Sequence, residues 1–287
     1  MVMKHFRLFV LALIMAGAFT ITACSNEPTV SKNGHSFGAG SGGSGGGGSI
    51  TRTPVDGKFG IYESPYEVGD IVFNDGSATP YTAQLTLTNE QKDAAIAIIF
   101  YKGTGLNSGD DTTTVRTLGV GLKHDKDGRE WCLSSANAYS KDITTIREDD
   151  KNGSDNLSQI ATFLSAPDSG TTDDTGTTSN YPAFDFAITY SSTATNLGTT
   201  YASGWYLPSI AELSQIYVNG KGDSKVFDID AASTLCNGDQ FGTSWYWSSS
   251  QYASDDSSAC DLYFDNGDWG SNYKNNYDYV CAIRAFN

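Results

Sequence analysis

Histidine, basic side chains and paired cysteines are all scarce in this chain, and each shortage closes off a class of function. Three histidines occur in 287 residues, namely His5, His35 and His124. Imidazole-centred triad chemistry therefore has little to draw on. Lysine and arginine total 18 against 33 acidic residues, for a net charge of −15. A nucleic-acid partner demands Lys and Arg for its phosphates, so none is expected. The acidic balance favours solubility and repulsion between copies instead. Neither a CxxC nor a paired Cys/His spacing is present, so no metal site and no cofactor is expected. Asp125-Lys-Asp-Gly-Arg-Glu130 has the start of a calcium loop but lacks the later ligands, and a hairpin turn is the better reading. Repeats of solenoid length are also missing.

What is present begins with an address. Residues 1–23 have a short basic start (Lys4, Arg7), an apolar run from Leu8, then small residues. This is the pattern of a secretory signal, too short and too one-sidedly flanked for a spanning helix. It ends in Ile21-Thr22-Ala23-Cys24, which resembles the lipobox of bacterial lipoproteins and implies acylation of Cys24. Several acyl chains anchor firmly where one is marginal. Residues 24–56 then form a tether, nearly pure Gly/Ser between Gly38 and Ser49, with too little apolar surface to fold. The expected product is an exported lipoprotein, held at the membrane by lipid and displayed on the outer membrane and cell surface. Four cysteines remain: Cys132, Cys236, Cys260 and Cys281. They can pair as two disulfides in three ways or stay free and buried.

Residues 57–287 read as one α+β domain. Phe59–Tyr62 and Val68–Phe73 read as strands, the second closed by the hairpin signal Asn74-Asp75-Gly76. Thr88 and Gln91 have capping-box spacing, followed by the apolar run Ala94–Tyr101, a buried strand. Thr117–Leu122 is its partner, and Asp127-Gly128 turns the chain into Glu130–Leu133. Leu157, Ile160, Ala161 and Leu164 mark an amphipathic helix, and Pro182 opens another. A polar stretch over 168–180 separates them. Ser209 and Glu212 cap a helix with Ile210, Leu213, Ile216 and Tyr217 on one face, and Asn219-Gly220 is a plausible left-handed stop.

The C-terminal interval 252–279 has its own alphabet. Asp, Tyr, Asn and Ser supply 19 of its 28 residues, while Glu, Gln and Met are absent. Tyrosine with small flexible hydrogen-bonders is the composition of adaptable binding surfaces. It lies between two stretches that read as sheet core, Trp245–Ser250 and Tyr279–Phe286. Leu262 and Phe264 are two apart, as a core-facing strand requires, which turns Asp261, Tyr263 and Asp265 to the other side.

Four motifs occur in order: Gly204-Trp-Tyr-Leu-Pro-Ser with Glu212-Leu213, Tyr246-Trp-Ser-Ser-Ser-Gln251, Phe264 with Gly267 and Lys274, and Val280 with Ile283-Arg-Ala-Phe286. Together they resemble the bacterial domains with the C-type lectin fold of the formylglycine-generating-enzyme subtype. With the lipobox and tether, the resemblance is to the family of Treponema variable-type lipoproteins, targets of diversity-generating retroelements. It implies a C-type lectin-like fold of short antiparallel strands, a few packed helices and long loops. It also implies a C-terminal region, here about 252–279, rewritten at template adenines in AAC or AAT codons. The variable, ligand-binding positions so implied are Tyr252, Asp255, Asp256, Ser257, Ser258, Asp261, Tyr263, Asp265, Asp268, Ser271, Asn272, Tyr273, Asn275, Asn276, Tyr277 and Asp278. Ala259, Leu262, Phe264, Gly267, Trp269 and Lys274 are the implied frame. Relatives often carry Trp at the place of Cys260, which leaves that residue open as variable or fixed.

The expected function is a surface-displayed binding module, not an enzyme, that recognises a protein or other macromolecule on a host or neighbouring cell. Tyr252, Tyr263, Tyr273 and Tyr277 are the expected centre of affinity. Two alternatives stand beside it. A calcium-dependent sugar-binding lectin would share the fold, but the Glu-Pro-Asn, Gln-Pro-Asp and Trp-Asn-Asp signatures are missing from the domain. A formylglycine-generating-type enzyme would need a reactive cysteine pair, for which Cys260 and Cys281 are the candidates, with nothing nearby in sequence to lower a thiol pKa.

Overall fold

A computed structural model describes residues 52–166 and 178–287. The signal segment, Cys24, His35, nearly all of the tether and most of the polar stretch over 168–180 lie outside the described residues. None of the helices among the described residues is long and apolar enough to cross a membrane.

The first sheet grows from the hairpin signalled by Asn74-Asp75-Gly76. Strand β1 (Asp70–Phe73) turns through Gly76 at φ +83° into β2 (Ala78–Pro80), a left-handed position that glycine takes without penalty. Thr88 and Gln91 close a complete capping box on α1 (Asn89–Ala94), which hands the chain directly to β3 (Ala95–Gly103). β3 pairs with β1 and with β4 (Arg116–Gly121), and β10 (Ile283–Ala285) adds to the far side of β4. The order is β10-β4-β3-β1-β2, antiparallel throughout.

The continuous apolar run of β3 has a simple cause. One side, with Ile96 and Ile99, joins a core containing Trp131, Ile160, Phe184, Tyr190, Trp205 and Trp247. The other, with Ile98 and Phe100, joins a core containing Leu213, Ile216, Tyr246, Leu262, Phe264 and Ile283. A strand covered on both faces loses the alternation of a half-buried one.

The second sheet runs β5-β9-β6-β7-β8, with β5 at Asp125–Arg129, β6 at Trp245–Gln251, β7 at Ser258–Tyr263, β8 at Trp269–Tyr273 and β9 at Asp278–Val280. Its β6–β9 pair is parallel, through Tyr246 and Tyr279, which corrects the all-antiparallel expectation. Two residues, Cys281 and Ala282, carry the chain from β9 into β10, so one short passage ties the two sheets together.

Helices α2 (Asn156–Leu164), α3 (Pro182–Ile188) and α4 (Ile210–Gly220) occur where periodicity and capping place them. A further helix, α5 (Ile229–Leu235), starts at Asp228, whose side chain accepts from the Ala231 N–H. Glu212 is more than a cap. It is fully buried, accepts from the N–H groups of Ser209 and Gly153, receives the Tyr206 hydroxyl at 2.9 Å and pairs with Arg116 at 3.0 Å.

Several local expectations need correction. Phe59–Tyr62 forms isolated bridges, not a strand. Asp125–Glu130 is not a hairpin turn: the segment runs as bulged β5 beside β9, with Asp125 Oδ1 accepting from the N–H groups of Asp127 and Gly128. Glu130–Leu133 forms no strand, because its backbone groups are divided among Ala183, Lys274 and Asn180. Gly220 continues α4 rather than ending it in a left-handed turn. A β-carbon there would meet Ile229 Cβ at 2.8 Å, so close helix approach is what requires glycine. Cys132, Cys236, Cys260 and Cys281 are free and buried, which settles the open disulfide question among these four.

Candidate functional site: the β7–β8 face and its loops

The candidate site sits on a strand pair whose inner side is locked. On β6, the Trp-Ser-Ser-Ser-Gln run is fully polar in its second half yet fully buried. Ser248 Oγ donates to the Cys260 carbonyl at 2.7 Å, Ser249 Oγ accepts from Asn156 at 2.8 Å, and Ser250 Oγ accepts from the Ile210 N–H at 3.0 Å. Gln251 reaches the Lys141 carbonyl and the Ile143 N–H. Satisfied buried polar groups of this kind fix one arrangement, because any other leaves them unpaired. β6 is thereby pinned to α2, α4 and the 141–143 loop, and β7 is pinned to β6.

Four of the implied frame residues are interior. Ala259, Leu262, Phe264 and Lys274 have no exposed surface. Gly267 turns the β7–β8 hairpin at φ +78°, where a β-carbon would lie 2.2 Å from the Tyr217 ring. Lys274 buries its ammonium and donates to the carbonyls of Asp256 at 2.6 Å and Ala138 at 2.9 Å. Its Nζ stands 5.1 Å from the Trp131 ring centre. One side chain thus staples the 252–257 loop, the 138–141 loop and the start of the 274–277 turn. Burial lowers its pKa to about 8.

Trp269 departs from the frame: it is 48% exposed on edge strand β8. Trp245 also departs from the core reading given to its segment. It projects from the open end of β6, 38% exposed, and stacks on Tyr263 at 4.9 Å and 16°. Sequence alternation places Trp245 and Trp247 on one face, but the sheet covers only Trp247.

The sixteen implied site positions divide by burial. Asp256, Asp265, Asp268, Ser271, Tyr273, Asn276 and Tyr277 are exposed. Asp265, Asp268, Ser271, Tyr273, Asn276 and Tyr277, with Trp269, run over the β7–β8 hairpin, the edge of β8 and the following turn, while Asp256 lies in the 252–257 loop. Tyr252, Asp255, Ser257, Tyr263, Asn272 and Asn275 are half-buried. Several of these serve structure: Asp255 accepts from Ser257 N–H and Ser258 Oγ, and Tyr252 packs on the core beneath β7. Asn275 accepts from the Tyr139 hydroxyl at 3.2 Å. Hydrogen bonding to Ser257 and Ser258 lowers the Asp255 pKa.

Ser258, Asp261 and Asp278 are buried, and for Asp261 this corrects the outward orientation read from the Leu262/Phe264 alternation. Asp261 is 4% exposed, set against the Asp278 carboxyl and opposite Gly270 of β8. Asp278 accepts from Asn272 Nδ2 at 3.0 Å and from the Asp261 carboxyl. Burial, and then the adjacent Asp278 carboxylate, push Asp261 up to about 7. Burial raises Asp278 as well. Two carboxyls in one dry site cannot both ionise cheaply, so they share a proton.

The chemistry available elsewhere is limited. Burial raises the Cys260 and Cys281 thiols well above their ordinary range, the opposite of what a nucleophilic thiolate requires. His124 is buried, bonded to the Tyr246 hydroxyl at 2.9 Å, and burial lowers it to about 4. Among the described residues no three His, Cys, Asp or Glu side chains come together to hold a metal.

With the face in view, one comparison bears on it directly. Residues 151–284 match the family model of the Lcl C-terminal domain. That span carries α2 through most of β10, so it contains the whole β6–β9 array and every exposed position named above. The chain matches none of the curated proteins. Among solved structures it is similar to a fimbrial protein from Bacteroides ovatus ATCC 8483, with a TM-score of 0.51 and 16% identity. The likeness covers 77% of this chain and 49% of that one. The chain therefore spans about half the length of that protein, and the likeness is one of fold. The Lcl C-terminal-domain match and this neighbour agree with a sheet-rich α+β architecture.

Proposed function

We propose that this chain is a surface-displayed lipoprotein binding module whose ligand-contacting surface is the edge of β8 with the β7–β8 hairpin and the 274–277 turn. The observation that carries the reading is the division of β8 and its flanks into locked and free positions. Trp269, Ser271, Tyr273 and Tyr277 are exposed, while Leu262, Phe264 and Lys274 beneath them are wholly buried. Monomeric proteins seldom leave several large aromatics together in solvent without a use for them. A rigid frame that bears exposed rings and small polar groups is how binding surfaces are built.

The finer parts of the reading rest on the sequence. Cys24 carries lipid, the 24–56 tether holds the domain away from the outer membrane, and the partner is a macromolecule on a host or neighbouring cell. The 252–279 region is diversified by a retroelement on a C-type lectin-like fold of the formylglycine-generating-enzyme subtype. The protein is not an enzyme: the raised Cys260 and Cys281 thiols support that part.

Two experiments test the proposal. Fluorescent full-length chain is expected to bind a subset of cells from a mixed host and microbial population. Trp269→Ala/Tyr273→Ala/Tyr277→Ala should cut that binding by about tenfold or more while the melting temperature stays put. Binding that survives the triple change would contradict the assignment of the face. Sequencing the gene's neighbourhood should reveal a near-copy template of the C-terminal segment beside a reverse transcriptase gene. Sister genes that vary evenly across the domain would rule out diversification.

A further inference from the structure

Among the described residues the two sheets end in β10, β2, β5 and β8, and the first three of these edges are closed. β2 carries Pro80 and pairs at Ala78 with Tyr62 through bonds of 2.9 and 3.0 Å. β10 exchanges bonds of 2.9 and 3.0 Å with Tyr206. β5 is bulged, with Gly128 at φ +82°. Covering, proline and bulges are the ways by which proteins stop an edge from pairing with another chain. β8 has none of them. Trp269-Gly-Ser-Asn-Tyr273 contains no proline and no basic residue, and its pairing with β7 runs without a register shift. The ladder also fixes which of its backbone groups face outward. The Asp268 C=O accepts from the Tyr263 N–H at 2.8 Å, and the Lys274 N–H donates to the Ser257 C=O at 2.9 Å. Bonded and non-bonded pairs alternate along an antiparallel ladder. Gly270 and Asn272 therefore bond inward, and the N–H and C=O groups of Trp269, Ser271 and Tyr273 point away from β7. Those of Tyr273 are used locally, the N–H by Asn272 Oδ1 and the C=O by the Asn276 N–H. Those of Trp269 and Ser271 have no partner among the described residues.

From this open edge we infer that β8 receives an extended segment of a partner protein as a further strand, bonded through Trp269 and Ser271 and carrying lysine or arginine toward the β7–β8 hairpin. The inference rests on the reading of this face as the ligand-contacting surface and names the form of its ligand. In strand addition the main-chain bonds supply affinity and alternate side chains supply specificity. Here the backbone bonds survive any exchange at 271 except proline, while Trp269, Ser271 and Tyr273 present the side chains that discriminate. The exposed carboxylates Asp265 and Asp268 at the hairpin end, with the net charge of −15, favour a basic segment. The same charges disfavour a second copy of this chain, because pairing β8 with β8 brings two acidic hairpins to one sheet.

Ser271→Pro tests this. It removes the outward N–H at the centre of the edge and leaves the inward bonds of Gly270 and Asn272 in place, a position at which edge strands accept proline. Ser271→Ala, which removes the hydroxyl alone, is the reference. In the cell-binding assay with full-length chain, Ser271→Pro should bind about tenfold or more weaker than Ser271→Ala, at a similar melting temperature. A second measurement on the wild type holds if Ser271→Pro fails to fold. Linear heptapeptides selected from a phage-displayed library should be basic and should alternate β-branched or aromatic residues with polar ones. The synthesised peptides should slow amide exchange at Trp269 and Ser271. N-methylating every second peptide residue should cost about tenfold in one frame and little in the other, because only one frame faces β8. Equal binding by Ser271→Pro and Ser271→Ala, no enriched peptide, unprotected amides or equal loss in both frames would overturn the inference. So would a dimer in solution that Ser271→Pro converts to monomer, which assigns the edge to a second copy. Full cell binding by Ser271→Pro, beside its loss in the Trp269/Tyr273/Tyr277 variant, would strike strand addition and leave the broader reading standing. Binding kept by that triple variant would strike the broader reading itself.

Discussion

Lys274 places a charged ammonium where no water reaches it and balances it with backbone carbonyls rather than a carboxylate. Replacement by Met keeps the length and removes the donor, leaving the carbonyls of Ala138 and Asp256 unsatisfied. We predict a loss of about 3 kcal/mol, read as a melting temperature lower by roughly 10 °C, with the 252–257 loop exchanging its amide hydrogens faster. A change of under about 0.5 kcal/mol would place Lys274 among ordinary surface residues. Asp261 gives the second test at this scale. Its folded pKa is raised to about 7, so the folded chain holds a proton that the unfolded chain gives up near pH 4. The sign follows: this stabilisation is full at low pH and is lost as pH climbs toward 7. Asp261→Asn mimics the protonated form at every pH. Between pH 5 and pH 8 the wild type should lose about 2–3 kcal/mol relative to the variant. Parallel stability curves would mean that Asp261 titrates normally.

At the scale of elements, the β7–β8 hairpin is set by Gly267 from two directions, its left-handed φ and its contact with Tyr217 on α4. Gly267→Ala should cost at least about 2 kcal/mol, against less than about 0.5 kcal/mol for Ser271→Ala four residues on. Chemical denaturation of both variants checks this, and equal midpoints would contradict it. Elements of this kind were partly legible in sequence. The capping boxes at Thr88 and Ser209, the helix over 156–164 and the inward pair Leu262/Phe264 depend on local spacing, which the sequence carries. Burial of Asp261 and exposure of Trp245 and Trp269 depend on which strand lies alongside. Alternation shows which residues share a face, not whether a neighbour covers it. β9 reaches β6 through a single parallel bridge, and the three-residue segment Asp278–Val280 gives no signal of it. For the same reason Glu212 reads as a helix cap, although Arg116 and Tyr206 come to it from elsewhere in the fold.

For the whole molecule, the two sheets and their two cores hold one edge and its loops in place while leaving those side chains free of structural duty. Stability and recognition are then separable properties. The most direct measurement is the thermal unfolding of a library in which Asp256, Asp265, Asp268, Ser271, Tyr273, Asn276 and Tyr277 are varied together. Surface substitutions of this kind change stability by about 0.5 kcal/mol or less each, and a domain of this size shifts by roughly 2–4 °C per kcal/mol. Most members should therefore melt within several degrees of the parent while their cell binding scatters from full to none. A library that mostly unfolds, or that keeps the parent's binding unchanged, would contradict the account.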